Sequence, residues 1–350
     1  MKEKILKEIT KNSIKLMKYK TTKNNFKEFD KAHKFIKKEL LNYHIKEYQI
    51  NNYKNLVISN TEEKNLDIIF CAHLDVVPTN NYEPKIIEGK LYGRGAIDMK
   101  SQLATIIALL KNNNTSKKIA FIITSDEEIG GYCCKEILKD YNAELAVIPD
   151  ASSDFNLVVE EKGLLQLEIT TQGKTAHASE PYKGENAILK LIHLYNKLLE
   201  IYPMPENNEF KTTVNLSSLN GGIATNIVPD LATMILDIRF NKKDTIKGIS
   251  EIINNIKDET TTIKILDQGP VFQVNEKLPI MKSFIEKAEK ILDEPIVIEK
   301  CVATSDAIYF SEKNIPTILM NPKGAYWHGP NEYVEIESLY TLYEIFKTLL

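Results

Sequence analysis

Several residue types are scarce in this 350-residue sequence, and each scarcity excludes something. Four cysteines are too few for a disulfide framework, which indicates a reducing compartment, so we predict a cytoplasmic protein. Residues 1–20 lack the apolar core of a signal peptide, and no run of about 18 apolar residues predicts a membrane span. The net charge of −3 leaves no basic surplus to neutralise phosphates. We therefore do not expect nucleic acid as a partner.

Arginine is almost absent, because Arg94 and Arg239 are the only arginines among 45 basic residues. Lysine is the default cation of this chain. A rare arginine therefore points to a position that needs a planar, two-pronged donor, which lysine does not supply. Chance retention in a lysine-biased sequence is the alternative interpretation.

The remaining composition is globular, with 43% apolar and 27% charged residues, and the length is typical of about two domains. Amphipathic helices are predicted near 1–18 and 26–42. Runs rich in Ile, Val and Phe then alternate with helical segments, which predicts an α/β domain with a mostly parallel, mixed sheet flanked by helices. The runs are 55–59, 66–71, 119–124 and 145–148, and the intervening helices lie near 98–112 and 131–140.

The rhythm changes at residue 163 to the order strand, helix, strand, strand, helix, strand. This order predicts a ferredoxin-like α+β unit, a small antiparallel sheet backed by two helices. We therefore predict a first domain of residues 1–162 and 273–350, interrupted by an inserted domain of residues 163–272. The elements predicted after the insertion are a helix near 276–292, strands at 296–299, 307–311 and 317–320, and a helix near 336–350.

Acidic and histidine residues follow the ends of three predicted strands, and two more lie in loops. In an open parallel sheet, ligands bind beyond the carboxyl ends of the strands, so we expect these side chains to converge. In chain order they are His73 and Asp75, Asp98 at a helix start after a Gly-x-Gly loop, Glu127 and Glu128, Asp150, and His328.

So dense a group of carboxylates would repel itself unless its pKa values rise or cations hold it together. Imidazole and carboxylate ligands suit Zn²⁺, with Co²⁺ or Mn²⁺ as alternatives. Five ligands, one of them shared, suit two ions about 3.5–4 Å apart that hold a bridging hydroxide and polarise a carbonyl. Of the adjacent Glu127 and Glu128, one could bind metal while the other acts as general base. Asp75 could accept the second N–H of the His73 imidazole.

As an ordered set, these residues resemble the co-catalytic zinc metallopeptidase and deacylase family. That family includes acetylornithine deacetylase, succinyl-diaminopimelate desuccinylase, aminoacylase and glutamate carboxypeptidase. The resemblance extends over nearly the whole chain from about residue 53. Its motifs are His73-Leu74-Asp75, Gly93-Arg94-Gly95-Ala96-Ile97-Asp98-Met99-Lys100, Ser125-Asp126-Glu127-Glu128-Ile129-Gly130-Gly131, Asp150, Gly173-Lys174-Thr175-Ala176-His177-Ala178-Ser179, Thr225-Asn226-Ile227-Val228-Pro229, Thr304-Ser305-Asp306 and His328.

The resemblance implies a role for each matching residue. In the inserted domain, His177 matches a histidine that in dimeric relatives stabilises the oxyanion in the partner's site. Asn226 and Arg239 match residues that grip a substrate carboxylate, and Thr304 and Gly324 are further predicted substrate contacts. In the first domain, His73 and Asp150 would bind one metal ion and Glu128 and His328 the other. Asp98 would bridge the two ions. Glu127 would be the general base, and Asp75 would orient His73.

We therefore predict a zinc-dependent amidohydrolase of amino-acid metabolism that cleaves a small N-acyl amino acid or dipeptide-like substrate with a free carboxylate. A homodimer is predicted through the inserted domain, which would act as lid and dimerisation unit, since symmetric pairing could cover its exposed sheet edge. The alternatives are a catalytically silent binding or regulatory homologue and a two-zinc aminopeptidase. Residues 301–303 (Cys-Val-Ala) replace the Gly-Gly that many relatives have before Thr304, which leaves the acyl group and amino acid open.

Overall fold

The computed structural model describes residues 1–80, 82–151, 153–207 and 209–350. The chain forms two compact units. The first unit comprises Met1–Glu160 and Gln273–Leu350, and the second comprises Glu161–Phe272. The second unit is therefore an insertion in the first, and its limits lie within two residues of the insertion predicted at 163–272.

Helices and strands alternate along both units. Among the described residues, every helix is too short or too polar to serve as a membrane span. The helices are α1 (Lys2–Met17), α2 (Phe26–Glu39), α3 (Lys100–Asn112), α4 (Tyr132–Ile137), α5 (Ala187–Ile201), α6 (Ile246–Ile256), α7 (Pro279–Leu292), α8 (Ala307–Glu312) and α9 (Ile336–Lys347). The strands are β1 (His44–Ile50), β2 (Tyr53–Ser59), β3 (Asn65–His73), β4 (Lys85–Ile87), β5 (Lys90–Tyr92), β6 (Ile119–Thr124), β7 (Asn142–Ile148), β8 (Leu157–Glu161), β9 (Gly163–Gln172), β10 (Thr213–Gly221), β11 (Leu231–Phe240), β12 (Thr261–Gly269), β13 (Phe272–Gln273), β14 (Ile298–Cys301), β15 (Thr317–Leu319), β16 (Gly324–Ala325) and β17 (Tyr333–Glu335).

The main sheet of the first unit has six strands in the order β1-β2-β6-β3-β7-β15. β3 pairs in parallel with β6 and β7, and β15 pairs in parallel with β7. β2 joins β6 in the antiparallel sense, and β1 pairs antiparallel with β2. The central strands are apolar on both faces because helices cover them, and β6 is buried along its whole length. This mixed, mostly parallel α/β fold confirms the predicted fold class.

Helix α3 is the centre of the helical layer. The residues from Lys100 to Leu110 are all buried, so this helix is covered on nearly all sides. Side chains of α1, α3 and α9 join those of the main sheet in one hydrophobic core. Because α3 is packed on all sides, its N-terminal end, which carries the loop with Asp98, has a fixed position.

Two differences from the sequence prediction have clear causes. The predicted strand at 307–311 is wrong, because these residues lie in helix α8, which packs against β15. Periodicity does not separate a short apolar run in a helix from one in a strand. The prediction also missed β1, a mostly polar edge strand, and β8. It further missed the two- and three-residue strands β4, β5, β13, β16 and β17, which are too short to show alternation.

The second unit is a four-stranded antiparallel sheet in the order β10-β11-β9-β12, with helices α5 and α6. Buried and half-buried residues alternate along β9 and β11, which is typical of a sheet with one face packed on helices. Asn186 begins α5 by accepting the N–H groups of Ile188 and Leu189, and Thr245 begins α6 by accepting that of Gly248. The unit has its own hydrophobic core.

We expect the first unit to lose stability in acid because of His33, which lies on α2. It is 1% exposed, and its burial, aided by the nearby Lys54, lowers its pKa from 6.5 to about 4. The unfolded chain therefore takes up this proton more readily. The contribution of His33 to stability is fully present above pH 6.5 and is lost as the pH falls towards 4.

We expect His33→Leu to remove part of this acid loss, up to about 3 kcal/mol between pH 6.5 and 4. The measurement is urea unfolding at several pH values, followed by the fluorescence of Trp327, the only tryptophan. The control is His44→Leu, at an exposed histidine of the same unit. An unchanged pH slope in His33→Leu would contradict the prediction.

Candidate metal and catalytic site

Three adjacent strands of the main sheet bring side chains to one edge. β3 ends at His73, β6 is followed by a short 3-10 helix that carries Glu127 and Glu128, and β7 is followed by Asp150. Since β6, β3 and β7 are neighbours and parallel, their carboxyl ends lie at the same edge of the sheet. This is the edge at which α/β sheets bind ligands.

The loop before α3 adds Asp98 to this edge. Gly93 and Gly95 have positive φ angles of 137° and 86°, which favour glycine, and a Cβ on Gly95 would lie 2.8 Å from Lys100 Cδ. Asp98 is 7% exposed and faces both histidines. Its Oδ1 atom is 3.0 Å from His73 Nε2, and its Oδ2 atom is 3.1 Å from His328 Nε2. One carboxylate thus lies between the two imidazoles.

Six of the predicted side chains form two groups of three. In each group, one potential ligand atom per residue lies within 4.8 Å of the others. The two carboxylate oxygens of Asp98 connect the groups. The backbone N–H of Val77 donates to Glu128 Oε1 (3.2 Å) and so orients this carboxylate. The other oxygen, Oε2, lies 3.1 Å from His328 Nε2. The groups are His73, Glu127 and Asp150, and Asp98, Glu128 and His328.

The hydrogen bonds of His73 show how a cation fits this arrangement. Its Nδ1 atom lies 3.0 Å from the backbone carbonyl of Asp75, so Nδ1 carries the proton. In the neutral ring, the Nε2 lone pair then points at the Asp98 carboxylate, which is also an acceptor. Two acceptors at 3.0 Å need a proton or a cation between them. Imidazole and carboxylate donors in this arrangement fit a divalent first-row metal ion.

Asp75 acts on two parts of the site. Its backbone carbonyl accepts from His73, whereas its carboxylate lies 3.6 Å from the imidazole Nδ1. The carboxylate accepts the backbone N–H groups of Glu127 (3.2 Å) and Glu128 (2.9 Å) instead. From the sequence, only the contact with His73 was expected. The structure adds that the carboxylate of Asp75 anchors the turn carrying Glu127 and Glu128.

Burial and the crowding of charge shift the pKa values of the site. Burial raises the pKa of Glu127 well above its usual value and that of Asp150 to about 7, and neighbouring carboxylates add to both shifts. Hydrogen bonds to Asp98 and Glu128 raise the pKa of His328 to about 10. Burial opposes protonation of His73, but Asp75 and Asp98 outweigh it and raise its pKa. Without a cation, the cluster therefore retains protons.

Asn321 is a structural part of the site that the sequence analysis missed. It is fully buried, and its Nδ2 atom donates to the carbonyl of Ala151 (3.0 Å), next to Asp150. Its Oδ1 atom accepts from Gln102 (2.6 Å), which also donates to the carbonyl of Ile97, next to Asp98. The pair thus links the loops of Asp98 and Asp150. A single asparagine after a strand has no motif that could have indicated this.

A third buried cluster consists of Cys71, Cys134 and Asp306. Burial raises the pKa of the Cys134 thiol well above its usual value, and the four cysteines of the chain are free. Asp306 Oδ2 accepts from Thr124 (3.0 Å). Burial raises the pKa of Asp306 well above its usual value. Cys71 and Cys134 are fully buried and Thr124 holds the Asp306 carboxylate, so we assign this cluster to the core.

The predicted residues of the second unit lie in two neighbouring segments and one strand. His177 and Ile227 form a β-bridge, which brings His177 beside Asn226, and both are exposed. Nδ1 of His177 accepts the N–H of Ser179 (3.2 Å), so Nε2 carries the proton of the neutral ring. Arg239 lies on β11, where its Nε and Nη2 atoms donate to the carboxylate of Asp237 (2.7 and 3.3 Å).

Thr304 and Gly324, the remaining predicted substrate contacts, are both half-buried in the first unit. A Cβ on Gly324 would lie 2.4 Å from the carbonyl of Tyr333 and 2.7 Å from Ile97 Cδ1. Packing of β16 against β17 and Ile97 therefore explains why this position is glycine. Their contact with substrate stays a prediction.

Known proteins are similar to this chain in sequence and in fold. The sequence model of peptidase family M20/M25/M40 matches residues 69–350. The chain is 27% identical to the succinyl-diaminopimelate desuccinylase of Sulfurovum sp. (89% of this chain, 91% of that protein). It is 30% identical to the LysW-lysine/LysW-ornithine hydrolase of Saccharolobus islandicus (69% and 67%). The crystal structure of aminopeptidase PepT from Bacillus cereus has the same fold, with a TM-score of 0.80, 21% identity and coverage of 98% and 97%.

The position of Asp98 predicts how metal binding responds to mutation. Asp98→Asn keeps the side-chain shape but removes a charge that faces both groups, so we expect it to weaken the binding of two divalent ions. His328→Gln should weaken only one. Each affected step should lose more than about 100-fold, since even indirect contacts of ligands contribute 10- to 100-fold.

The measurement is Zn²⁺ competition with a chromophoric chelator, together with metal content after dialysis. Asp140→Asn, at an exposed carboxylate of the first unit, is the control and should bind like the wild type. Two tightly bound ions in Asp98→Asn would contradict the shared position of Asp98.

Proposed function

The chain belongs to peptidase family M20/M25/M40 and is a metal-dependent hydrolase of C–N amide bonds, and we propose that it cleaves small N-acyl amino acids or dipeptide-like substrates with a free carboxylate. The observation that carries this proposal is the pair of three-residue donor groups connected by Asp98, one of which contains Glu127. Two relatives support the substrate class, since a desuccinylase and a LysW-lysine/LysW-ornithine hydrolase both act on amino-acid derivatives by name.

The resemblance implies two divalent metal ions, with Zn²⁺ as the first choice, and we assign the ligand roles of the residues accordingly. When bound, such ions would polarise the scissile carbonyl and stabilise negative charge on it. The short contacts of Asp98 with both imidazoles support its position between the ions. His73 and Asp150 would hold one ion, Glu128 and His328 the other, and Asp98 both.

Glu127 is the proposed general base. Its carboxylate would take a proton from the attacking water and later give it to the leaving nitrogen. Asp75 supports this role because its carboxylate fixes the backbone N–H of Glu127 at 3.2 Å.

The second unit is proposed to bind substrate. His177 would donate its Nε2–H to the developing oxyanion, which its hydrogen bond with Ser179 supports by keeping the proton on Nε2. Arg239 and Asn226 would bind the substrate carboxylate. Asp237 holds the Arg239 guanidinium by two hydrogen bonds, which orients it for bidentate recognition.

A two-zinc aminopeptidase is the second candidate, and one observation favours keeping it. The fold of PepT, an aminopeptidase by name, covers 98% of this chain. The insertion is therefore compatible with both activities, and substrates must distinguish them.

The test is a hydrolysis panel with Zn²⁺, Mn²⁺ and Co²⁺. It contains N-succinyl-diaminopimelate, N-acetylornithine, other N-acetyl amino acids, dipeptides and amino-acid anilides. We expect the protein to cleave N-acyl amino acids or dipeptides. This activity should be lost when the terminal carboxylate of the substrate is amidated. Cleavage of anilides alone would favour the aminopeptidase. Metal-loaded protein that cleaves nothing would favour a silent binding or regulatory homologue.

Glu127→Gln should keep both ions, and kcat should fall about 10²- to 10⁴-fold, because the amide cannot take the proton. The measurement combines steady-state kinetics on the best panel substrate with metal content. Glu128→Gln is the matched comparison at the next residue and should lose one ion instead. Loss of metal from Glu127→Gln would show that Glu127 is a ligand and would overturn its assignment as base.

A homodimer through the second unit is also proposed. β10 is an edge strand of its sheet, and the second unit also exposes two large apolar side chains, Leu189 on α5 at 60% and Ile223 after β10 at 90%. Light scattering should give twice the 39.9 kDa chain mass, and Leu189→Glu should shift it towards the monomer. Ile86→Glu, at an exposed isoleucine of the first unit, should not. A wild-type monomer would contradict the proposal.

A further inference from the structure

Glu332 is a buried carboxylate that neither the motifs nor the proposed mechanism uses. It is 1% exposed and lies four residues after His328, just before β17. Its two oxygens face different groups. Oε1 accepts the backbone N–H groups of Ile97 (3.1 Å) and Asp98 (3.3 Å), and Oε2 accepts from Arg94 Nη1 (2.5 Å). Both oxygens are therefore needed as acceptors.

Arg94 extends this contact to His328. It is 5% exposed, and while Nη1 binds Glu332, Nη2 donates to the backbone carbonyl of His328 (2.8 Å). His328 has a φ angle of 59°, in the left-handed region that few residues other than glycine adopt. Such a conformation persists where the surroundings impose it. Arg94 supplies one such contact at this residue.

The contacts form a continuous connection from the backbone of Asp98 through Glu332 and Arg94 to the backbone of His328. The side chains of Asp98 and His328 belong to the same donor group, with 3.1 Å between Oδ2 and Nε2. The other donor group is supported differently, since His73 ends β3 and Asp150 follows β7. His328 lies in a loop and its side chain is 56% exposed, so it depends most on such support.

We propose that Glu332 and Arg94 are positioning residues that fix Asp98 relative to His328 and thereby set the affinity of the cation site formed by Asp98, Glu128 and His328. This inference rests on the proposed two-ion function. It also explains one of the two arginines of a lysine-rich chain, because a guanidinium binds Glu332 and the His328 carbonyl at once. The single ammonium group of lysine cannot present such a fork.

Glu332→Gln is the principal test. The amide has one acceptor oxygen, so its NH₂ group must face either Arg94 or the N–H groups of Ile97 and Asp98, and both are donors. In Zn²⁺ competition with a chelator, we expect one of two binding steps to weaken about 10- to 100-fold, the range for groups that orient metal ligands. It should be the step that His328→Gln weakens, and the other, whose ligands His73 and Asp150 lie outside this connection, should weaken less.

Glu289→Gln is the matched control, because Glu289 also accepts a backbone N–H through Oε1, from Ile296 at 3.0 Å, but lies on α7. It should bind both ions like the wild type. Arg94→Lys is the second variant if Glu332→Gln does not fold. It keeps a positive charge for Glu332 but loses the second prong to His328, so the same binding step should weaken.

The double variant Glu332→Gln with Arg94→Met separates positioning from stability. It removes the buried charge that Glu332→Gln leaves without a partner, so the melting temperature should recover in part. Metal affinity should not recover, because the link to His328 remains broken. Recovery of both together would overturn the positioning role.

The outcomes for the two proposals differ. Wild-type protein that binds fewer than two ions would overturn the two-ion function itself. Wild-type protein that binds two ions, with Glu332→Gln and Arg94→Lys keeping wild-type affinities at both steps, would overturn only the positioning role.

Discussion

The position of Asp98 between two imidazoles is the interaction on which the rest of the site depends. One oxygen of its carboxylate faces His73 and the other faces His328, each at about 3 Å. The carboxylates of Glu127, Glu128 and Asp150 gather around this arrangement, which concentrates negative charge in a partly buried edge of the sheet. Such a cluster persists only with bound protons or cations, and the raised pKa values of Glu127 and Asp150 express this.

Backbone groups connect the cluster to the fold. Asp75 accepts the N–H groups of the turn that carries Glu127 and Glu128, and Asn321 binds the carbonyl next to Asp150. These buried polar side chains hold main-chain atoms of loops whose side chains face the site. Because a main-chain contact fixes a loop without using the ligand atoms, it leaves those atoms available for cations.

The sequence predicted the fold class correctly and indicated which acidic and histidine residues lie at the sheet edge, for a physical reason. Buried parallel strands are continuous apolar runs, so β3, β6 and β7 and the polar residues at their ends are visible in the sequence. The same signal was ambiguous for residues 307–311, which form a helix instead of a strand. It was absent for the short strands β16 and β17, between which the loop of His328 lies.

The sequence by itself determined the donor types, their order along the chain and the α/β frame, because composition and periodicity are local properties. Only the tertiary structure decided which atoms meet: that the carbonyl of Asp75 faces His73 while its carboxylate holds the next turn, and that Glu332 contacts Asp98. Glu332 and Asp98 are separated by 234 positions, and no local pattern encodes a contact over that distance. Such contacts arise when strands and helices pack and the buried polar atoms that remain must find partners.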